Sequence, residues 1–369
     1  IAPLSEAAPI LDRPVKKPAY LDKIASGNLC GCGVSKISNK EAFDKIFAEP
    51  EILNKNFIYD QYDANIGTNT IKKPGFLGAA AIRVKENGVN LCMAMDCNSR
   101  MNYINPRIGA ALAVAVSGRK VAMSGAVPLA ITDCLNYGNP QNEEVMWQFA
   151  QGCEGIKAAC KALNTPVVSG NVSLYNETDG VSIQPTPAIV TVGTAKNALL
   201  PSHFTKNGVN VYLIGDTKGV FAGSLYMKVV ENRITGTLPE IDFIKERALW
   251  DLVIEANKCE ILEFANSVGV GGVAITLAKM ACIEQIGGNF DMIVDDDRDI
   301  FDESFSRAIV GVKNETEFLK LAKKSGLKFT KLGVSGGETF KINEISVKIK
   351  QLAEIYFNKF SQIIKGETF

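Results

Sequence analysis

Histidine is nearly absent from this chain: 369 residues carry one, His203. A reaction that needs an imidazole general base is therefore not obviously served from within it. His203 stands in Leu200-Pro201-Ser202-His203, which reads as an exposed linker. Excess charge is lacking too, with 40 Lys and Arg against 40 Asp and Glu. No net field then draws the chain to nucleic acid or to an anionic membrane. No apolar run reaches the roughly 18 residues of a membrane span. The nine cysteines contain no C-x-x-C pair. Cys30-Gly31-Cys32, the one close pair, is tighter than zinc ligands are usually spaced. Such scattered cysteines point to reduced thiols in the cytoplasm. There is no G-x-x-x-x-G-K-[ST] and no G-x-G-x-x-G between a strand and an acid, which excludes a P-loop and a dinucleotide fingerprint.

What is present has the length for two domains. Residues 1–57 read as a connecting segment. It opens on Ile1, is rich in Pro and Ala up to Lys23, and carries a helix near Lys40–Phe47. The expectation is a fragment of a longer polypeptide, which the intact mass of the natural product tests. The first domain is expected over 58–200. Two apolar runs, 77–84 and 91–95, flank Glu86-Asn87-Gly88, a strong hairpin signal. A small-residue helix follows at Arg107–Met123, a strand at Leu129–Asp133, a long helix at Glu143–Leu163, and strands at Thr165–Ser169 and Ala188–Thr194. The boundary falls in polar 196–207. The second domain, 201–369, is expected to hold strands at 209–214, 289–294, 308–312, 329–334 and 345–349. Its helices are expected at 242–265, 271–286, 315–325 and 351–364. Helices and strands mix without strict alternation, so the expected class is α/β with mixed sheets.

Two runs concentrate small and amide residues where a strand should give way to a loop: Asp133-Cys134-Leu135-Asn136-Tyr137-Gly138-Asn139-Pro140 and Ser169-Gly170-Asn171-Val172-Ser173-Leu174-Tyr175-Asn176-Glu177. Such loops bring backbone N–H groups and side-chain oxygens to a phosphate or a metal; Asn and Gly also dominate ordinary turns. Asp133 can accept hydrogen bonds from a nucleotide or cap a turn. Gly170 lets backbone approach a phosphate closely. Asn171 offers a neutral oxygen suited to Mg²⁺ or simply a turn residue. Ser173 can donate to a phosphate oxygen or to its own strand. Met95-Asp96-Cys97-Asn98-Ser99-Arg100 places an acid, an amide and a base at a strand end, with a surface salt bridge as the plainer reading. Val268-Gly269-Val270-Gly271-Gly272 opens a helix whose N-terminus can attract an anion or whose glycines can serve packing. The Ser and Arg of 301–307 are read as structural.

Taken together, these residues closely resemble the PurL-type phosphoribosylformylglycinamidine synthases of purine synthesis. The carriers are D-C-L-N-Y-G-N-P, the helix with Trp147-Gln148, P-V-V-S-G-N-V-S-L-Y-N-E-T and Pro185-Thr186-Pro187. The likeness is to the second half of such an enzyme, from Leu4–Pro9 to the last helix. It implies the two-domain aminoimidazole ribonucleotide synthetase-like architecture. In that arrangement the first domain pairs with its counterpart into a shared β-barrel, and the second is a mixed sheet flanked by helices. It also implies the reaction: formylglycinamide ribonucleotide, ATP and glutamine-derived ammonia give the amidine, ADP and phosphate, through an iminophosphate. By motif position, Asp133 and Gly170 resemble ATP contacts, Asn171 a Mg²⁺ ligand and Ser173 a substrate contact. The catalytic residues of the family lie in its first half, so none is assigned here. The implied partners are that N-terminal half, a glutaminase subunit and a small accessory subunit, with no nucleic acid and no membrane.

One departure carries weight. Where the family reads A-H-D-x-S-E-G-G, this chain has Ala265-Asn266-Ser267-Val268-Gly269-Val270-Gly271-Gly272. The family's second, pseudo-symmetric nucleotide site is therefore expected to be lost or altered. Two other readings stand beside the half-enzyme: a stand-alone homodimeric ATP-dependent synthetase, against which Arg119-Lys120 lies where a Mg²⁺ carboxylate is wanted, and a non-catalytic docking module.

Overall fold

The computed structural model describes residues 11–26 and 37–366; the Cys30/Cys32 pair lies outside them. The chain runs through α1 (Tyr20–Ala25), α2 (Asn39–Phe47), α3 (Asn56–Tyr59), β1 (Thr70–Lys72), β2 (Ala80–Val84), β3 (Val89–Asp96), α4 (Ser99–Ile104), α5 (Pro106–Met123), β4 (Val127–Asn136), α6 (Glu143–Leu163), β5 (Val167–Ser173), the short pair β6 (Glu177–Thr178) and β7 (Val181–Ser182), and β8 (Thr186–Ala195). The first sheet has the order β1-β2-β3-β8-β4-β5. Its pairings are antiparallel except β4 with β5, which run parallel. The β4–β5 crossover is α6, the kind of connection that parallel neighbours need.

The elements form where local chemistry asks for them. Pro106 sits in the first turn of α5, and Asn105 caps it by accepting from Ile108 N–H, a start that suits proline's missing donor. Alanine, glycine and valine along α5 let it bury almost every residue. Asn142 caps α6, which ends at Asn164 in the left-handed conformation. Helices α5 and α6 share one core with Ile131, Leu135 and Ile189 of the sheet. The other face of the sheet is bare: Met95, Val127 and Leu129 are exposed.

The second half comprises β9 (Asn210–Ile214), α7 (Leu225–Val229), α8 (Phe243–Lys258), β10 (Leu262–Ser267), α9 (Gly272–Ile283), β11 (Gly288–Phe290), β12 (Ala308–Val312), α10 (Glu315–Ser325), β13 (Phe329–Ser335), β14 (Thr339–Ile342), β15 (Ile345–Lys348) and α11 (Ile349–Lys365). The sheet order is β10-β12-β9-β13-β11-β14-β15, antiparallel but for β11–β14. The mixed α/β class expected from sequence is what the structure has.

Two expectations need correcting. The helix expected over 242–265 stops at Lys258, and its last residues join strand β10. Glu260 turns the chain in the left-handed region, φ 55°, without a glycine to announce it. Strand β14 was not expected at all. Packing also crosses the sequence divisions. Phe43 and Phe47 of α2 stack on each other, Phe43 lies against Phe340 and Phe47 against Tyr356, so part of 1–57 is built into the second sheet's core. Between the two halves, Trp250 of α8 presses on α5, where a side-chain carbon at Gly118 would stand 2.3 Å from its ring.

Candidate functional site

The two runs singled out in the sequence meet. Strands β4 and β5 lie side by side with Asp133 opposite Gly170, Cys134 opposite Asn171 and Asn136 opposite Ser173. Both runs stay in strand longer than expected, and their loops begin only at Tyr137 and Leu174. The loops then interlock. Tyr137 N–H donates to Ser173 O at 3.1 Å and Tyr175 N–H to Gly138 O at 2.9 Å. The Asn176 amide donates to both Tyr137 O and Ser173 O, at 3.0 and 2.9 Å. Gly138 is required because a side-chain carbon there would meet Ser182 Oγ at 2.3 Å. The dense Asn and Gly content is therefore partly spent on holding the loops to each other.

The four expected site residues divide between two faces, because side chains alternate along a strand. Asp133 shares the face of buried Ile131 and Leu135 and looks toward α6, where its charge helps push the Cys153 and Cys160 thiols up. Gly170 stands directly beside it: a side-chain carbon at Gly170 would lie 2.4 Å from Asp133 Oδ1. Glycine at 170 thus makes room for the carboxylate. Burial raises the Asp133 pKa. Asn171 and Ser173 project from the opposite face by the same alternation. Asn171 is exposed. Ser173 Oγ lies 3.2 Å from the Asn176 amide nitrogen, which donates to it.

Strand β5 is an edge, and an apolar one. Val167, Val168 and Val172 are all exposed, Val168 at 68%. Native edges are usually blunted by charge, proline or a covering element; this one carries neither charge nor cover. The bare sheet face and this edge flank Asn171 and Ser173, so the site is open on the side where a ligand would need a second wall. Among the described residues no group of three or more His, Cys, Asp or Glu is placed to hold a metal. Asn171 fits one position in the shell of roughly six oxygens that Mg²⁺ takes. The remaining ligands do not come from these residues.

Other candidate residues are engaged in structure. Lys120 Nζ bonds Asp96 Oδ1 at 2.7 Å. Asn98 caps α4 by accepting from Met101 N–H. Arg307 is fully buried against Asp302, in keeping with its structural reading. The altered 265–272 run borders a cleft of about 390 Å³ lined by Glu51, Asp96, Lys120, Asn266, Ser267 and Lys279, among others. Burial holds the Lys279 pKa down at about 8. At the head of α9, Gly271 provides no side-chain cap. Instead Glu303 Oε1 accepts from Gly271 N–H at 2.9 Å and from Leu225 N–H at 2.8 Å. A carboxylate of the chain's own thus holds the donors at which an anion was considered.

Sequence reasoning missed Glu303, and it missed the bidentate pair of Arg119 with Glu246, at 2.7 and 2.8 Å, which ties α5 to α8. It also misplaced His203, which is buried at 9% exposure rather than lying on an exposed linker, because Phe76 packs over its ring.

With this geometry in place, comparison with known proteins is informative. Residues 78–195 match the family described as AIR synthase related protein, N-terminal domain. Over all 369 residues the chain is 99% identical to the phosphoribosylformylglycinamidine synthase subunit PurL of Campylobacter hominis and 63% identical to that of Campylobacter concisus, covering 50% of each. The chain therefore spans about half the length of the curated relatives it matches. Among solved structures, T. maritima PurL complexed with FGAR has TM-score 0.66 and 19% identity, with 85% of this chain and 53% of that chain covered. At that identity the likeness is one of fold. The PurL-type resemblance read from the sequence is borne out along the whole chain.

Proposed function

We propose that this chain, similar over its whole length to half of a PurL-type synthase, forms one wall of a composite active site. That site carries out the ATP-dependent amidation of formylglycinamide ribonucleotide. The observation that carries the reading is the uncovered end of the first sheet. Asn171 faces open space beside an apolar strand edge, with half-buried Ser173 next on the same face, and a second wall is needed to enclose a substrate there. The other half of the enzyme supplies that wall and closes the sheets into a shared barrel.

In the proposed reaction the amide oxygen of the substrate takes the γ-phosphoryl group of ATP. Ammonia from a glutaminase subunit then displaces phosphate, leaving the amidine. Phosphoryl transfer of this kind rests on positioning and charge neutralisation. Within this chain Ser173 touches substrate, and Gly170 gives the nucleotide phosphates a thin stretch of backbone. Asp133, beside it on the α6 side of the sheet, accepts from the nucleotide across the open β5 edge. Asn171 gives one oxygen to Mg²⁺, which supplies charge neutralisation when bound. The general base comes from the other half, since His203 is buried against Phe76 and lines a separate cavity with Lys72 and Leu199. A small accessory subunit completes the assembly, in the cytoplasm.

The test is Asn171→Ala in the complete enzyme. Turnover is expected to fall by orders of magnitude, with recovery at raised Mg²⁺ marking a metal-ligand role. Near-normal turnover removes Asn171 from the site. The same open edge also suits a second copy of this chain, the stand-alone homodimer. A symmetric dimer that hydrolyses ATP with the ribonucleotide and ammonium present would favour that reading.

A further inference from the structure

A cavity beside β1 takes no part in the site above. It measures about 310 Å³ and is walled by Ile71, Phe76, Leu199, Leu200 and Pro201, with Lys72, Lys73 and His203 as its polar members. Two of these are poorly satisfied. Lys72 is in no ion pair among the described residues; its ammonium donates to Ser202 Oγ at 2.7 Å and at 3.5 Å to Leu200 O, and burial holds its pKa down at about 8. His203 Nδ1 is buried without a hydrogen-bond partner. Its Nε2 turns the other way, 3.8 Å from Glu284. Burial lowers the imidazole pKa, Glu284 opposes that, the charge of Lys72 adds to it, and the backbone of Phe76 opposes it weakly. A cation with no counter-ion among the described residues, beside an imidazole whose Nδ1 makes no well-formed hydrogen bond and set against apolar walls, is costly to bury unless something completes it. Ligand pockets of this size commonly pair apolar walls with a few convergent polar groups.

We propose that this cavity binds a small monocarboxylate with an apolar body, its head held by Lys72 and His203 and its tail against Phe76, Leu199 and Pro201. The carboxylate supplies the charge that Lys72 lacks and an acceptor for a protonated Nδ1. The charged or titratable groups facing the head are then Lys72, Lys73, His203 with Glu284 behind it, and the Cys92 thiol near Lys72. Protonation of His203, whose pKa burial holds below the ordinary imidazole value, adds a second positive partner, so binding strengthens as pH falls toward that pKa while the ligand stays ionised.

Hexanoate, hexylamine and hexanol titrated into the full chain test this, with the imidazole Cε1–H signal as the probe. One histidine gives one signal. Hexanoate is expected to shift it saturably and to raise the His203 pKa, with hexylamine about 10-fold weaker or worse. Lys72→Met is expected to weaken hexanoate about 10-fold. The proposal is overturned if no probe gives a saturable shift, or if hexylamine or hexanol binds as tightly as hexanoate. The three-probe comparison uses the unsubstituted chain, so a Lys72→Met chain that fails to fold does not obscure the result.

Discussion

At the scale of single residues, the buried charges decide most. Glu303 is fully enclosed, and desolvation pushes its pKa up to about 7 from an ordinary value near 4.3. A carboxyl raised in the folded state favours folding when protonated. That contribution is complete below the unfolded pKa and is lost as pH rises through about 7. Glu303→Gln keeps an acceptor for Gly271 N–H and Leu225 N–H but cannot ionise. Urea unfolding at pH 5 and pH 8 is expected to show the unsubstituted chain losing stability between them and the variant losing less. Identical pH dependence in both would contradict the assignment. The Arg119–Glu246 pair is equally enclosed. Glu246→Ala strands a buried guanidinium and also removes the acceptor for Trp250 Nε1–H and Ser306 Oγ–H. Loss of one partner from a buried pair typically costs about 3–5 kcal/mol, measurable as a lowered urea midpoint. Gly170→Ala is expected to displace the Asp133 carboxylate and lower the complete enzyme's turnover with little change in fold content by circular dichroism.

None of these buried partners was legible in the sequence, because Arg119 and Glu246 stand far apart along it and nothing local marks them as a pair. By contrast the two runs that carry Asp133, Gly170, Asn171 and Ser173 stood out in the sequence. Their types are unusual in combination, and the parallel β4–β5 pairing brings the two runs to one place. The split between faces could not be read without knowing that both runs remain in strand.

At the scale of elements, periodicity and caps explain what was found and what was missed. Helices α5, α6 and α10 were expected nearly where they are from their periodicity; asparagine caps the start of each, and a left-handed residue ends α6 and α10. Strand β10 was hidden in an expected helix, since Glu260 ends α8 without glycine or proline. The edge strand β5 yields its own test. Val168→Lys and Val172→Lys add charge to an exposed edge, where folding should tolerate it. Each is expected to leave the chain folded yet weaken its association with the other half by about tenfold or more, read by sedimentation. Unchanged association would place the interface elsewhere.

At the scale of the whole molecule, the two sheets are joined by a core that runs across the expected domain boundary, with Leu249, Trp250 and Tyr212 packed in one cluster with α5. The chain therefore presents its open sheet on a single firm body. The most direct measurement is phosphate release from ATP in the presence of formylglycinamide ribonucleotide and ammonium, for this chain alone and with the other half added. With a composite site, release is expected only on mixing, with an activity that saturates at one half to one half. Release by this chain alone at the rate of the mixture would contradict it.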